Sequence, residues 1–162
     1  MKLKLDKESF LKFFNINDID IKEKSFLCAV SGGVDSMVLY DLMIKCDLNF
    51  SVASCNYKSR EESDNEIEMI KSVCFKNKIN FHSEIFRIDK KSTGKSFQML
   101  AREKRYEWFK RLMNKFSYDY LVTAHHADDN IETILLNFLR TTGFKGLLGI
   151  PESKNQILRP ML

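Results

Sequence analysis

The sequence predicts an α/β fold, a doubly wound parallel sheet with helices on both faces, and three observations carry that expectation. Short, nearly continuous apolar runs alternate four times with stretches whose apolar residues recur at helical spacing. The helical stretches are long enough to serve as right-handed crossovers between parallel strands. Glycine and proline are scarce, six and two in 162 residues, against about 11 and 8 at average usage. That scarcity excludes collagen, Gly/Ser linkers and glycine-rich disorder, and leaves length for one compact domain.

Lys24 to Val30 is an apolar run that stops at Ser31, Gly32 and Gly33, as a strand buried on both faces does. The period then changes: Met37, Val38, Leu39, Leu42 and Met43 mark a helix. Phe50 to Cys55 is the second strand, and Ile67, Ile70, Val73 and Cys74 mark the second helix. Phe81 to Ile88 is the third strand. Phe97, Leu100, Ala101, Trp108, Phe109, Leu112, Met113 and Phe116 mark a long third helix. Tyr118 to Ala124 is the fourth strand, and Ile131, Ile134, Leu135, Phe138 and Leu139 mark a helix that ends before Gly143. Residues 1–23 are expected to form an N-terminal helical extension and 24–142 the main domain. Residues 143–162 hold three glycines and both prolines and are expected to be an exit segment, an exposed connection or the start of another element. From their apolar close, Ile157 to Leu162, the chain is expected to be the front part of a longer protein.

Twenty-six Lys and Arg against 22 Asp and Glu give a net charge of +4. The excess is concentrated: residues 87–115 hold ten basic and three acidic side chains. A phosphate-backbone surface and a solvated helix face both fit that run, including Lys90 to Lys95. Cys28, Cys46, Cys55 and Cys74 lie 18, 9 and 19 residues apart, with no C-x-x-C pair. Zinc ribbons, iron–sulfur sites and redox dithiols are therefore disfavoured, and reduced thiols packed as small hydrophobes are expected. The N-terminus lacks the apolar core of a signal peptide and no run reaches membrane-span length, so a cytoplasmic protein is expected, with no membrane partner.

In a sheet of this kind ligands bind beyond the carboxyl ends of the strands, at the loops after residues 30, 55, 88 and 124. The first loop, Ser31, Gly32, Gly33, Val34, Asp35 and Ser36, runs from strand into helix. Two glycines let a backbone approach an anion, and the helix N-terminus offers N–H groups and partial positive charge. Neither G-x-x-x-x-G-K-[ST] nor G-x-G-x-x-G is present. Asp35 would repel a phosphate unless a cation lay between them, and Mg²⁺ held by Asp35 and phosphate oxygens resolves the conflict. An ordinary first-turn aspartate is the alternative.

The run from Ser31 to Ser36 resembles the SGGxDS signature of the PP-loop ATP pyrophosphatases, which adenylate a substrate by cleaving ATP between its α and β phosphates. Four further stretches follow in the order seen in the tRNA(Ile)-lysidine synthetases: Ala101 to Tyr106, Thr123 to Thr133, Gly146 to Pro151, and Arg159 to Leu162. The resemblance runs from about residue 24 to the end. It implies a PP-loop catalytic domain, ATP and Mg²⁺, and two substrates: tRNA(Ile) with a CAU anticodon, and free L-lysine. The wobble cytidine would be adenylated at O2 and then attacked at C2 by the lysine ε-amine, forming lysidine with release of AMP and pyrophosphate. A homodimer is left open.

His125, Asp129 and Glu132 stand at i, i+4 and i+7, where two carboxylates could hold the lysine ammonium or take its proton. Acids decorating a helix N-terminus are the alternative. Gln98, Arg102 and Arg105 repeat that spacing on the third helix. Arg102 suits charge stabilisation at the α-phosphate or a tRNA phosphate, and Arg105 suits substrate contact or a structural ion pair. After the second strand the resemblance carries Asn56 and Arg60 over as substrate contacts, but Ser54 and Tyr57 stand where the family has histidines. Gln98 stands where glutamate is frequent. The alternatives are a thiolase of the same superfamily, which would want cysteine pairs, and a nucleotide-binding module without turnover.

Overall fold

The computed structural model describes residues 6–58, 63–88, 96–139 and 148–162. Helix α1 (Lys7–Ile16) opens on Asp6, whose carboxylate accepts the Ser9 N–H at 3.0 Å. Then follow β1 (Phe26–Ala29), α2 (Val34–Lys45), β2 (Phe50–Asn56), α3 (Ser63–Lys76), β3 (Phe81–Ile85), α4 (Phe97–Phe116), β4 (Tyr120–Val122), α5 (Ala127–Leu139), β5 (Ser153–Lys154) and β6 (Ile157–Leu158). The expected strands and helices are present, several of the strands trimmed by a few residues at their ends.

The strands form one sheet in the order β3-β2-β1-β4-β6-β5. All pairings are parallel except the β5–β6 hairpin. The chain moves one way from β1 to β3 and then returns to place β4 on the other side of β1. Right-handed crossovers therefore demand α2 and α3 on one face and α4 on the other. The two cores obey this. Phe26, Cys28, Val30, Phe50 and Val52 point to the face covered by α1, α2 and α3, while Leu27, Ala53 and Leu121 meet Trp108, Phe109 and Leu112 of α4. Strand residues alternate between the cores because successive side chains point to opposite faces.

Helix α1 is built into the first core: Phe10 and Phe14 are fully buried, and Phe14 meets Phe26 of β1 edge-to-face at 5.6 Å. The C-terminal segment also joins the body. In β6, Ile157 and Leu158 pair with Leu121 and Val122 of β4, and Leu158 is fully buried, so the sheet extends past residue 142. Asn155 and Gln156, with φ of 49° and 64°, make the two-residue turn that returns β5 onto β6.

Helix α5 departs from expectation. Its apolar residues keep helical spacing, yet none is buried, and Phe138 and Leu139 are 68% and 76% exposed. Among the described residues no helix is long and apolar enough to cross a membrane.

Candidate active site

The sheet reverses direction at β1 and β4, whose carboxyl ends open a crevice between their loops. A cavity of about 330 Å³ lies there, floored by Ala29, Val30, Ala53 and Cys55 and walled by α4, the loop after β1 and the loop after β4.

On the first wall, Ser31 to Gly33 turn the chain from β1 into α2. Gly32 has φ +88°, a left-handed conformation that a side chain strains to adopt. A Cβ there would also lie 3.4 Å from that of Glu66. The buried Ser36 hydroxyl staples the loop, donating to the Gly33 carbonyl at 2.8 Å and accepting the Ser31 N–H at 3.2 Å. Ser31, Gly33, Asp35 and Ser36 line the cavity; Gly32 and Val34 do not, and Val34 is 78% exposed.

On the second wall, α4 presents Arg102, Arg105, Tyr106 and Phe109. The Arg102 guanidinium lies over the Tyr106 ring, 5.0 Å from its centroid, and the buried Arg105 Nε meets no partner. Among the described residues neither arginine has a carboxylate within ion-pair reach. The structural ion pair open for Arg105 is thus not formed with them, and among the described residues this wall is cationic. That charge suits an anionic ligand.

The third wall is Thr123, Ala124, His125, His126 and Asp129. The Thr123 hydroxyl meets His125 Nδ1 at 2.8 Å. Burial holds His125 below the ordinary imidazole pKa, and the Arg159, Arg102 and Arg105 cations push the same way against Asp129. His125 therefore favours its neutral form. Asp129 accepts the His126 N–H at 2.9 Å, so its carboxylate sits at the α5 N-terminus as a cap as well as on the cavity wall. The His126 ring bridges two acids, with Nε2 3.5 Å from Asp129 and 3.6 Å from Asp35.

Thus Ser31, Gly33, Asp35, Ser36, Arg102, Arg105, His125 and Asp129 share one cavity. Glu132 is exposed on α5 and does not line it. Asn56 is buried, and its amide is engaged: it donates to Asp64 at 2.6 Å and accepts the Lys58 N–H at 2.8 Å, joining the end of β2 to α3. Arg60 lies outside the described residues, as do Lys90 to Lys95. Tyr57, in a position where histidine was expected, lines the cavity; it stacks on Phe86 at 5.6 Å and donates to the Ala101 carbonyl at 3.3 Å. Burial pushes the Cys55 thiol up to about 12, so it is a wall residue and not a thiolate.

Sequence reasoning missed His126, Tyr106 and Arg159 as single residues, although each lies in a motif it singled out. Arg159 left a usable signal, a lone charge inside the apolar run from Ile157 to Leu162.

Among the described residues no three His, Cys, Asp or Glu side chains are grouped to hold a metal. The exposed Asp35 carboxylate at the cavity is what Mg²⁺ needs when phosphate oxygens and water complete its shell. The donor set fits a nucleotide-borne Mg²⁺ and not a caged metal.

A family profile described as a PP-loop domain matches residues 4–162. Among curated proteins, the tRNA(Ile)-lysidine synthases of Bacteroides thetaiotaomicron and Petrotoga mobilis are 34% and 36% identical over 94% and 96% of this chain. That of Chlorobaculum tepidum is 35% identical over 96%. The chain spans only 36%, 52% and 49% of these relatives' lengths. Among solved structures, the U34-tRNA thiolase NcsA from Methanococcus maripaludis with its [4Fe-4S] cluster superposes with a TM-score of 0.74 at 16% identity, covering 96% of this chain and 57% of that one. The NMN synthetase from Francisella tularensis gives 0.57 at 12% identity, covering 76% and 56%. At such identities these likenesses speak for the fold alone. With the profile spanning nearly its whole length, the chain belongs to the PP-loop domain family.

Proposed function

We propose that this chain is the adenylating domain of a tRNA(Ile)-lysidine synthase, joining lysine to C2 of the wobble cytidine in the CAU anticodon. One observation carries the reading: three of the stretches that resemble lysidine synthetases, 20 to 100 residues apart in the chain, meet around a single cavity walled by the loop after β1, two arginines and the His125–Asp129 segment.

ATP would lie with its phosphates toward the N–H groups of Ser31 to Ser36 and the α2 N-terminus. Mg²⁺, when bound beside Asp35, supplies charge neutralisation between that carboxylate and the phosphates. Arg102 and Arg105 stabilise charge growing on the α-phosphate as the cytidine O2 attacks it and pyrophosphate leaves. In the second step the lysine ε-amine attacks C2, the bond from C2 to the former O2 breaks, and AMP leaves with that oxygen. The amine must first lose a proton, and the His125 imidazole and the Asp129 carboxylate on the cavity wall are the candidate acceptors. Glu132, one turn beyond Asp129 on α5, would hold the lysine ammonium at the mouth. A soluble, cytoplasmic setting follows from the tRNA substrate.

The thiolase alternative finds no support in the cysteines. Cys28, Cys46 and Cys74 are buried, Cys55 stands alone in the cavity, and no two are joined in a disulfide. The experiment is incubation of α-³²P-ATP with unmodified tRNA(Ile) and lysine, supplying the remaining part of the protein where the relatives have one. Labelled AMP and lysidine that need both tRNA and lysine are expected. Lysine-independent ADP release would sink the proposal.

A further inference from the structure

The cavity takes Arg102 and Arg105 from the basic run at residues 87–115 and leaves the rest of that run without a task. At 3.6 residues per turn the buried stripe of α4, Ala101, Trp108, Phe109 and Leu112, has a flank on either side. Arg102 and Tyr106 lie on the flank that turns to the cavity. Lys104, Arg111 and Lys115, at i, i+7 and i+11, fall within about 40° of one another on the other flank and succeed each other by about 10 and 6 Å along the axis. All three are exposed. Among the described residues none has a carboxylate within ion-pair reach.

That second flank faces the rim of the sheet. Strand β3 is outermost, and among the described residues no strand pairs with its free edge. Between β3 and α4 runs a groove of about 500 Å³, lined by His82 and Glu84 from the strand and by Trp108, Arg111, Lys115 and Phe116 from the helix. Its floor is fixed: His82 Nε2 meets the Tyr118 hydroxyl at 2.9 Å, and the imidazole lies 4.7 Å from the Phe116 ring, centroid to centroid. Burial, helped by Lys115, holds His82 below the ordinary imidazole pKa, so it adds no charge at neutral pH. Phe116 is 45% exposed, with Lys115 Nζ 5.3 Å from its centroid. Glu84 lines the same groove without reaching either cation. A line of cations beside an exposed aromatic ring is what a nucleic-acid strand needs: charge for its phosphates and a flat apolar face for a base.

We propose that this flank of α4 and the rim at β3 form an RNA-binding surface, with backbone phosphates along Lys104, Arg111 and Lys115 and an unpaired base against Phe116. Its assignment to the substrate tRNA rests on the lysidine reading; its charge and shape do not. The groove and the cavity lie on the two flanks of one helix, about 10–12 Å across with its side chains. An RNA with one nucleotide in the cavity can therefore cross α4 and lay adjoining backbone on the basic stripe. Phosphate contacts set register and orientation and carry no sequence information. The stripe thus adds affinity for any tRNA and leaves the choice of base to the cavity.

The test follows binding of this chain to labelled, unmodified tRNA(Ile) by fluorescence anisotropy at stepped salt. Combining Lys104→Gln, Arg111→Gln and Lys115→Gln should flatten the slope of log affinity against log salt by about 0.7–0.9 for each contact removed, equally for tRNA(Ile) and tRNA(Met). Lys104→Arg, Arg111→Lys and Lys115→Arg together keep the charges and should keep the slope. Phe116→Ala should weaken binding about fivefold or more with the slope unchanged, as loss of one base stack does; unchanged affinity overturns the base contact. As a control, Lys71→Gln, Lys76→Gln and Lys78→Gln remove three exposed cations on α3 and the turn after it, across the sheet, and should leave the slope as it was. A folded triple-Gln variant with the wild-type slope, a control that loses as much, or a wild-type chain without salt-dependent binding overturns the proposal. Polyglutamate bound in preference to tRNA would mark an acidic-protein site and overturn it as well. If the triple-Gln variant does not fold, the three single Gln variants decide by the same slope. AMP release with tRNA, lysine and the remaining part of the protein is assayed in parallel. Stripe-dependent tRNA binding without AMP release loses the lysidine reading and keeps the surface; lysine-dependent AMP release with an unmoved slope does the reverse.

Discussion

Asp35, Glu132 and the histidines are where single side chains decide the chemistry. Asp35 is exposed beside the loop after β1, and among the described residues its ion-pair contact is the His126 ring, so it contributes little to folding. Asp35→Asn should leave the thermal midpoint within a degree or two, roughly, and abolish pyrophosphate release, read from labelled ATP. Glu132→Ala should spare adenylation and raise the lysine KM on the order of tenfold or more, about what one charge-assisted hydrogen bond contributes; an unchanged KM would remove it from the substrate. His82 and His125 are both held below the ordinary imidazole value, mainly by burial, with Lys115 helping at His82 and Arg159 at His125. The folded state therefore resists their protonation. As pH falls through about 6.5 the unfolded chain takes up protons first, so stability declines from there to the folded midpoints and then levels. Thermal melts at stepped pH should show this decline, and His82→Gln or His125→Gln should shrink it. The pairing of Asp129 with the His126 N–H was half legible: spacing placed an acid near a helix start, but which N–H it would cap depends on where the helix begins.

At the scale of elements, α1 was the least distinctive in sequence and is among the most deeply packed. The expected helical extension is a helix, but its Phe10 and Phe14 fill the core beside β1 and α2. Phe14→Ala should cost about 3–5 kcal/mol, measurable by urea denaturation; a change under about 1 kcal/mol would make α1 an appendage after all. The four main strands and α4 were legible because each holds enough residues to show a period. Strands β5 and β6, with two residues each, show none, and only pairing reveals them. Conversely α5 displays a helical apolar stripe that is not buried against the described residues. Periodicity reports a face that can be buried, not what buries it. A tight contact after α5 was equally hidden: the Asn130 amide accepts the Ile150 N–H at 2.7 Å and leaves no room for a side chain at Gly149, where a Cβ would come within 2.1 Å of its oxygen.

For the whole molecule, the doubly wound parallel sheet was legible from alternation alone, and the cavity lies where such a sheet places it. The assembly of the cavity from distant segments was not, because spacing along a chain does not say which loops meet. Since the relatives are two to three times as long, this chain alone should bind ATP but discriminate poorly between isoleucine and methionine tRNAs. Filter binding with both tRNAs checks this, and full discrimination would show that the pocket needs no help. The parallel pairing of β6 with β4 also has a bearing on synthesis. Residues 157 and 158 pair with the strand that leads into one wall of the pocket, more than 120 residues after the loop that follows β1 was made. A nascent chain that has exposed the loop and α4 but not yet β6 holds β4 unpaired on the side away from β1. Nucleotide can then reward only the finished sheet, so ATP in the translation mixture should protect completed chains from protease while leaving ribosome-stalled shorter ones as vulnerable as before.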